Sequence, residues 1–241
     1  MPPVENRLFA GLRVVAFESR LAGPMAELIA RHAGVAVVAP ALREIALEEN
    51  TEALACAERL VQGEFDLFVF LTGVGTRFLA QAMETRFSRA DWVSALGRIK
   101  VLVRGPKPLA ALRELGARVD FQVPEPNTWR ELLAELDAHF PVADRRVAVQ
   151  EYGKPNPELV ASLKARGAVV TTVPVYRWAL PADTGPLRQA IAELAGGTIG
   201  VVLFTSAQQV EHLVEVAALE GREAQLRTAL EQRVVVASVG P

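Results

Sequence analysis

The 241-residue chain is 51% hydrophobic and carries a formal net charge of −2. That length and apolar content supply a packed core for one large or two small α/β domains, and the near-neutral charge gives no sign of nucleic acid or an acidic membrane surface as a partner. The single cysteine, Cys56, excludes a disulfide framework and any multi-cysteine metal site.

In its Ala-rich helical stretch Cys56 reads as a buried small hydrophobe. No apolar run approaches the roughly 18 residues of a membrane span. The N-terminus lacks a basic region followed by an apolar core, so a soluble, cytoplasmic protein is expected.

Taken in chain order, Arg13 to Phe17 (RVVAF) reads as a short buried strand. Gly23-Pro24 opens a helix with proline at its first position, and Met25, Leu28, Ile29 and His32 share one face of it. Gly34 stops that helix and a long strand follows. Glu48 to Gln62 is a second helix, ended by Gly63. The near-continuous apolar run Phe65 to Thr72 suits a strand covered on both faces. Gly73 to Phe87 is helical in pattern. Lys100 to Arg104 is a strand, Gly105-Pro106 starts a helix through Leu109, Leu112 and Leu115, and Val119 to Val123 is another strand. Thr128-Trp129-Arg130-Glu131 is a capping box.

The same grammar continues beyond it. Arg146 to Gln150 is a strand. Asn156 caps and Pro157 begins a helix that stops at Gly167, and a second long strand follows. Asp183 or Thr184 caps the next helix. Gly200 to Thr205 is a buried strand, Ser206 with Gln209 forms a second capping box, a further helix runs to Gln232, and Val234 to Val239 is the last strand. Alternating strands and helices make the class α/β with parallel sheets.

Two stretches match each other. Gly34 to Leu47 (GVAVVAPALREIAL) and Gly167 to Leu180 (GAVVTTVPVYRWAL) each begin at a helix-ending glycine and pass through valines to a proline and then an arginine. Pro40 and Pro174, Arg43 and Arg177, and Phe70 and Phe204 all stand 134 positions apart, and Gly105-Pro106 and Gly240-Pro241 stand 135 apart. A constant offset across these landmarks points to an internal duplication. Because a helix and a strand follow Gly105-Pro106, the repeat predicts that the natural protein runs on beyond Pro241. Tyr176 occupies the position where the first copy has Leu42, a difference that marks a place to look for chemistry.

The usual catalytic signatures are missing. His32, His139 and His212 lie far apart in helical patterns and read as helix-surface or boundary residues, and no pair has metal-ligand spacing with a third partner. There is no P-loop and no G-x-S-x-G. Gly73-Val74-Gly75 follows a strand but lacks the third glycine of a dinucleotide fingerprint. What remains is a set of small-polar turns at strand ends: Glu18-Ser19-Arg20, Thr72-Gly73-Val74-Gly75, Arg104-Gly105-Pro106-Lys107, Tyr152-Gly153-Lys154, Thr205-Ser206-Ala207 and Gly240. Such turns place helix N-termini near the carboxyl edge of a sheet, where α/β proteins bind ligands and anions. Arg20, Arg104, Lys107 and Lys154 add cations. Any one turn reads as an ordinary cap, whereas the set reads as a site for a polyanionic ligand.

At these residues the chain resembles the uroporphyrinogen-III synthase family. The resemblance runs over essentially the whole length, through RVVAFESR, FDLFVFLTGVGTRFL, VLVRGPKPLAALRELGARV, VPVYRWAL, VVLFTSAQQVEHL and VVVASVGP, and rests on their order and spacing. Two departures stand out: the family's first strand tends to end Thr-Arg-Pro, where this chain has Ser19-Arg20-Leu21, and the family usually continues past its last Gly-Pro.

The resemblance implies two flavodoxin-like parallel-sheet domains joined by a two-stranded linker. One domain would combine residues 1–38 and 177–241, the other would span 46–172, and 39–45 and 173–176 would be the crossings. It implies that hydroxymethylbilane, a linear tetrapyrrole, is cyclised to uroporphyrinogen III in a cleft between the domains, with loss of water, inversion of ring D and no metal or redox cofactor. Tyr176 would be the catalytic residue. Arg20, Thr72, Gly73, Val74, Arg104, Gly105, Lys107, Tyr152, Gly153, Lys154, Thr205, Ser206, Ala207 and Gly240 would bind substrate. The protein would act as a monomer, with handover of substrate from hydroxymethylbilane synthase and no nucleic-acid or membrane partner. The residues themselves leave a second reading open, a two-lobed small-molecule-binding or ligand-sensing protein without catalysis.

Overall fold

The computed structural model describes residues 8–239. The chain divides into two compact units, Met1–Arg43 with Trp178–Pro241, and Glu44–Arg177. The N-terminal piece carries β1 (Arg13–Ala16), α1 (Ala22–Arg31), β2 (Val35–Val38) and β3 (Arg43–Ala46). The middle carries α2 (Thr51–Val61), β4 (Leu67–Phe70), α3 (Gly73–Glu84), α4 (Arg89–Leu96), β5 (Lys100–Val103), α5 (Pro106–Glu114), β6 (Phe121–Gln122), α6 (Trp129–His139), β7 (Arg146–Gln150), α7 (Pro157–Ala165) and β8 (Val169–Val173). The last third carries β9 (Tyr176–Ala179), α8 (Gly185–Ala195), β10 (Val201–Phe204), α9 (Ala207–Leu219), α10 (Glu223–Gln232) and β11 (Val235–Ser238). Among the described residues no helix is long and apolar enough to cross a membrane.

The first unit holds a parallel sheet in the order β11-β10-β1-β2, with Val14 opposite both Val201 and Ala36. The second holds a parallel sheet in the order β6-β5-β4-β7-β8, with Leu67 opposite both Lys100 and Val147. Numbered along the chain, the first sheet reads 2-1-3-4, the flavodoxin order short of a fifth strand. The second sheet reads 2-1-3-4-5 once β7 and β8 are taken as its first two strands. The described part of the first unit has no strand matching β6, and the four residues of β11 are exposed.

Each sheet is held by apolar layers. All four residues of β4 are buried, as a strand with helices on both faces requires. Leu67 and Val69 pack with Val147, Val149, Leu132, Leu136, Leu159 and Leu163. In the first unit Val15, Phe17, Val202 and Phe204 pack with Leu187, Ile191 and Leu194 of α8 and Leu213 of α9, and the Phe17 and Phe204 rings stack at 5.1 Å. Each such side chain, fully buried, contributes about 1.5–3 kcal/mol.

Local signals set most element boundaries. Thr128 and Glu131 form the expected capping box, and the Asn156 side chain accepts from Leu159 N–H ahead of Pro157. Thr184 takes the cap position of α8, but Asp183 supplies the bond, its Oδ1 accepting from Gly185 N–H at 2.8 Å.

Several expectations need correction. The two long strands are each a pair of short ones. β2 ends at Val38 and β3 begins at Arg43; β8 ends at Val173 and β9 begins at Tyr176. Pro40 and Pro174 lie in the gaps, because proline offers no N–H to a ladder and fixes φ. β2 and β8 stay in the main sheets while β3 and β9 pair with each other. The expected strand over 119–123 shrinks to Phe121–Gln122, and Pro24 is the third residue of α1, not its first. Helix α4 is not among the expected elements; Ser88 accepts from Asp91 N–H at its start and Trp92, Ala95 and Leu96 are buried. His212 is 7% exposed rather than on a surface, with Nδ1 2.7 Å from the Ala41 carbonyl. His139 is exposed and His32 half-buried, a surface and a boundary position as expected.

Candidate functional site

In a doubly wound sheet, ligands sit outside the carboxyl ends of the strands at the point where successive connections leave in opposite directions. In the second unit that point lies between β4 and β7, since the chain runs from β4 to β5 and β6 on one side and returns to β7 and β8 on the other. Thr72, Arg104, Tyr152 and Tyr176 follow β4, β5, β7 and β8 and therefore share this edge.

Thr72 is extended (φ −142°, ψ 147°) and caps α3, its Oγ1 accepting from Gly75 N–H at 3.0 Å. The same oxygen lies 3.3 Å from the Tyr176 hydroxyl. That separation is long for an O–H···O bond, whose usual length is about 2.7–2.8 Å, so the phenol is weakly engaged there. The Tyr176 ring packs against Phe78 at 5.8 Å and the residue is 5% exposed.

Gln150, with no exposed surface, accepts Thr72 N–H at 3.3 Å and donates to the Glu151 carbonyl. Its side chain explains a feature that the dinucleotide comparison did not. A Cβ on Gly75 would fall 1.9 Å from Gln150 Nε2, and one on Gly73 would fall 2.7 Å from the Lys107 carbonyl oxygen. Gly73 and Gly75 serve close packing of α3 against β7 and α5.

The Arg104 guanidinium lies 5.1 Å from the centre of the Tyr152 ring. Burial pulls its pKa down, and Tyr152 and Tyr176 pull it back up; it stays charged because an arginine starts so high. Asn127, with its amide nitrogen assigned toward two carbonyls, donates to Arg104 O at 2.9 Å and Val123 O at 3.0 Å. Gly105 fits beneath it, since a Cβ there would meet the Asn127 amide at 3.0 Å. Lys107 is exposed in the first turn of α5, and Val74 is half-buried in the first turn of α3. Gly153 has φ +50°, a left-handed turn that lets Tyr152 and Lys154 form an antiparallel bridge. Glu151 is half-buried, and that burial raises its pKa against the opposing effect of the Asn156 N–H.

The first unit has its own reversal point between β1 and β10. Glu18, Ser19 and Arg20 follow β1, and Thr205, Ser206 and Ala207 follow β10. Ser19 Oγ donates to the Leu42 carbonyl, and Arg20 and Ala207 are exposed. The expected Ser206–Gln209 capping box does not form. Gln209 is buried and its Oε1 accepts Thr205 N–H at 2.7 Å, one residue earlier than a box requires, while Ser206 Oγ is buried without a hydrogen-bond partner. Thr205 Oγ1 donates to Glu18 Oε2 at 2.5 Å and accepts from Gln209 Nε2 at 2.9 Å. Gly240 lies outside the described residues.

The second unit thus gathers Thr72, Gly73, Val74, Arg104, Gly105, Lys107, Tyr152, Gly153, Lys154 and Tyr176 along one edge, and the first gathers Arg20, Thr205, Ser206 and Ala207 along another. Sequence reading missed Gln150 and Asn127 as site residues, and gave Gln209 the role of a capping-box partner of Ser206. The signal for Gln150 was position, a polar side chain at the end of a strand, directly after an apolar stretch. Cys56 is 2% exposed and burial pushes its thiol up to about 12, so it is no nucleophile at neutral pH. Among the described residues no group of three His, Cys, Asp or Glu side chains could hold a metal ion.

Known proteins are similar to this chain in sequence or in structure. A relative from Bacillus subtilis described as uncharacterized protein YjjA is 27% identical over 230 residues, covering 95% of this chain and 84% of its own. A protein of Methanothermobacter thermautotrophicus described as a putative uroporphyrinogen-III synthase is 33% identical over 219 residues, covering 89% and 80%. A solved mutant uroporphyrinogen III synthase of Thermus thermophilus aligns with a TM-score of 0.72 and 30% identity over 95% of this chain and 85% of its own. The wild-type enzyme in another crystal form aligns with a TM-score of 0.58 and 29% identity over the same shares. The family profile described as uroporphyrinogen-III synthase HemD matches residues 23–241. With that match over most of its length, the chain belongs to the uroporphyrinogen-III synthase family.

Proposed function

We propose that this protein is a uroporphyrinogen-III synthase, cyclising hydroxymethylbilane to uroporphyrinogen III with inversion of ring D and loss of water. The observation that supports the reading beyond family membership is the second unit's carboxyl edge, where the Tyr176 hydroxyl and the Arg104 guanidinium stand with the first turns of α3 and α5. Loss of the substrate hydroxyl as water needs a proton. A phenol carries a proton it can transfer, and the Tyr176 hydroxyl stands at this edge, 3.3 Å from Thr72 Oγ1. Arg104, Lys107 and the backbone N–H groups of the helix starts suit the acetate and propionate groups of the tetrapyrrole. Positioning is the main contribution, because the free bilane closes unaided to the symmetric isomer. In this reading the protein works as a monomer and takes its substrate by handover from hydroxymethylbilane synthase.

The low exposure of Tyr176 favours a second reading, in which the tyrosine packs the turn after β8 and the protein binds its ligand without chemistry. One assay separates them. Freshly generated hydroxymethylbilane is supplied, the products are oxidised and the isomers are resolved by chromatography. Isomer III in excess is expected; isomer I alone, formed at the rate of the buffer control, refutes the synthase reading.

A further inference from the structure

The reversal point of the first unit carries a carboxylate where a site for an acidic ligand would be expected to carry none. Glu18 is half-buried just beyond β1. Both of its hydrogen bonds fall on Oε2, from Thr205 Oγ1 at 2.5 Å and from Gln209 Nε2 at the limiting distance of 3.5 Å. No ion pair among the described residues includes it, and Oε1 receives no hydrogen bond from them.

The carboxylate is held deliberately. Gln209 is 2% exposed; its Oε1 takes Thr205 N–H, and its Nε2 donates to Thr205 Oγ1 at 2.9 Å and to the Phe17 carbonyl at 3.3 Å. With its lone pair occupied by that amide, the Thr205 hydroxyl directs its proton to Glu18. In the turn after β4 of the other unit, Thr72 Oγ1 meets Gly75 N–H and a phenol instead. The turn after β4 and the turn after β10 therefore present groups of different character, a phenol on one edge and a fixed carboxylate on the other.

We infer that the Glu18 carboxylate, with Oε1 left open at this edge, is a recognition point for N–H donors of the ligand; in the synthase reading, on which this inference rests, those donors are pyrrole N–H groups of the linear tetrapyrrole. An acidic ligand pressed onto this edge through its own carboxylates meets like charge, so Glu18 both attracts the N–H side of the pyrroles and rejects the propionate side. Thr205 is a positioning residue that holds the carboxylate in place.

The probe is a linear tetrapyrrole with a methyl group in place of the hydroxymethyl group, which binds but does not cyclise. Its dissociation constant is measured for wild type, Glu18→Gln, Glu18→Ala, Thr205→Val and Thr205→Ser, with thermal unfolding of each. Glu18→Gln keeps an acceptor for the Thr205 hydroxyl and removes only the charge, so it retains the fold. Binding is expected to weaken about tenfold in Glu18→Gln and further in Glu18→Ala, to weaken in Thr205→Val, and to recover in Thr205→Ser. Unchanged or tighter binding by Glu18→Gln overturns the inference, as does a lowered unfolding temperature without a change in affinity. If wild type yields isomer III while Glu18→Gln binds like wild type, the Glu18 assignment alone falls. If wild type neither yields isomer III nor binds the probe, the synthase reading falls and takes this inference with it.

Discussion

Gly75→Ala tests how the second unit's edge is built. Gln150 Nε2, Cδ and Oε1 stand 1.9, 2.5 and 2.8 Å from the place where the new Cβ would go. These atoms end a flexible side chain, which elsewhere could swing aside. Here Gln150 has no exposed surface and is bonded at both ends of its amide, so moving it strands Thr72 N–H. Forcing a methyl into a packed site costs about 1–3 kcal/mol, and the lost hydrogen bond adds about 1 kcal/mol. Alanine regains about 1 kcal/mol over glycine in a helix. The net is a loss of about 1–3 kcal/mol.

Gln150→Ala removes the obstacle, at its own cost of about 1–3 kcal/mol for an unpaired buried N–H. In that background Gly75→Ala should become neutral or stabilising by up to about 1 kcal/mol. The coupling between the two sites is thus about 1–4 kcal/mol, above the few tenths expected of independent sites. Urea unfolding followed by tryptophan fluorescence reads it, since Trp92 and Trp129 belong to this unit and Trp178 to the other. Additive effects of the two substitutions would refute the packing argument.

Other outcomes follow from the same geometry. Thr72→Ala should cost about 0.5–2 kcal/mol as a lost cap, whereas Ser206→Ala should cost nothing in denaturant unfolding, because the Ser206 hydroxyl is buried without a partner. Tyr176→Phe keeps the ring against Phe78 and should fold normally; under the proposed function its turnover should drop about 100-fold while isomer III still predominates, and wild-type turnover would remove the phenol from the mechanism. Asp66 accepts from Arg146 N–H at 2.8 Å and from its guanidinium at 3.1 and 3.2 Å, and the guanidinium bonds, the largest effect, hold its carboxyl below the ordinary value of 3.8. A depressed carboxyl adds stability above its unfolded pKa and loses it as pH falls through the folded one. Asp66→Asn should therefore lower the unfolding temperature at pH 7, and the difference should close below pH ~4, as differential scanning calorimetry at both pH values would show.

The class of fold was readable from the chain because its signals are local. Apolar runs such as Phe65 to Thr72, the Thr128–Glu131 box and the Asn156-Pro157 start each act within a few residues, and each does so in the structure. The offset of 134 between Pro40 and Pro174 marked the right places, though it could not say that each stretch breaks into two strands that join different sheets. Neither could it tell that Gln209 would bond one residue short of its expected partner.

The candidate sites depend on pairings that no local pattern encodes. Gln150 reaches Thr72 across 78 positions, Tyr176 reaches Thr72 across 104, and Thr205 reaches Glu18 across 187. Strand order and register bring these residues to one carboxyl edge or the other, and burial then decides which of their polar atoms must find partners within the protein. Composition and periodicity determined that parallel sheets with helical cover would form. Only the folded topology, by choosing which strands become neighbours, decided that Glu18 would meet a hydroxyl and Gly75 an amide.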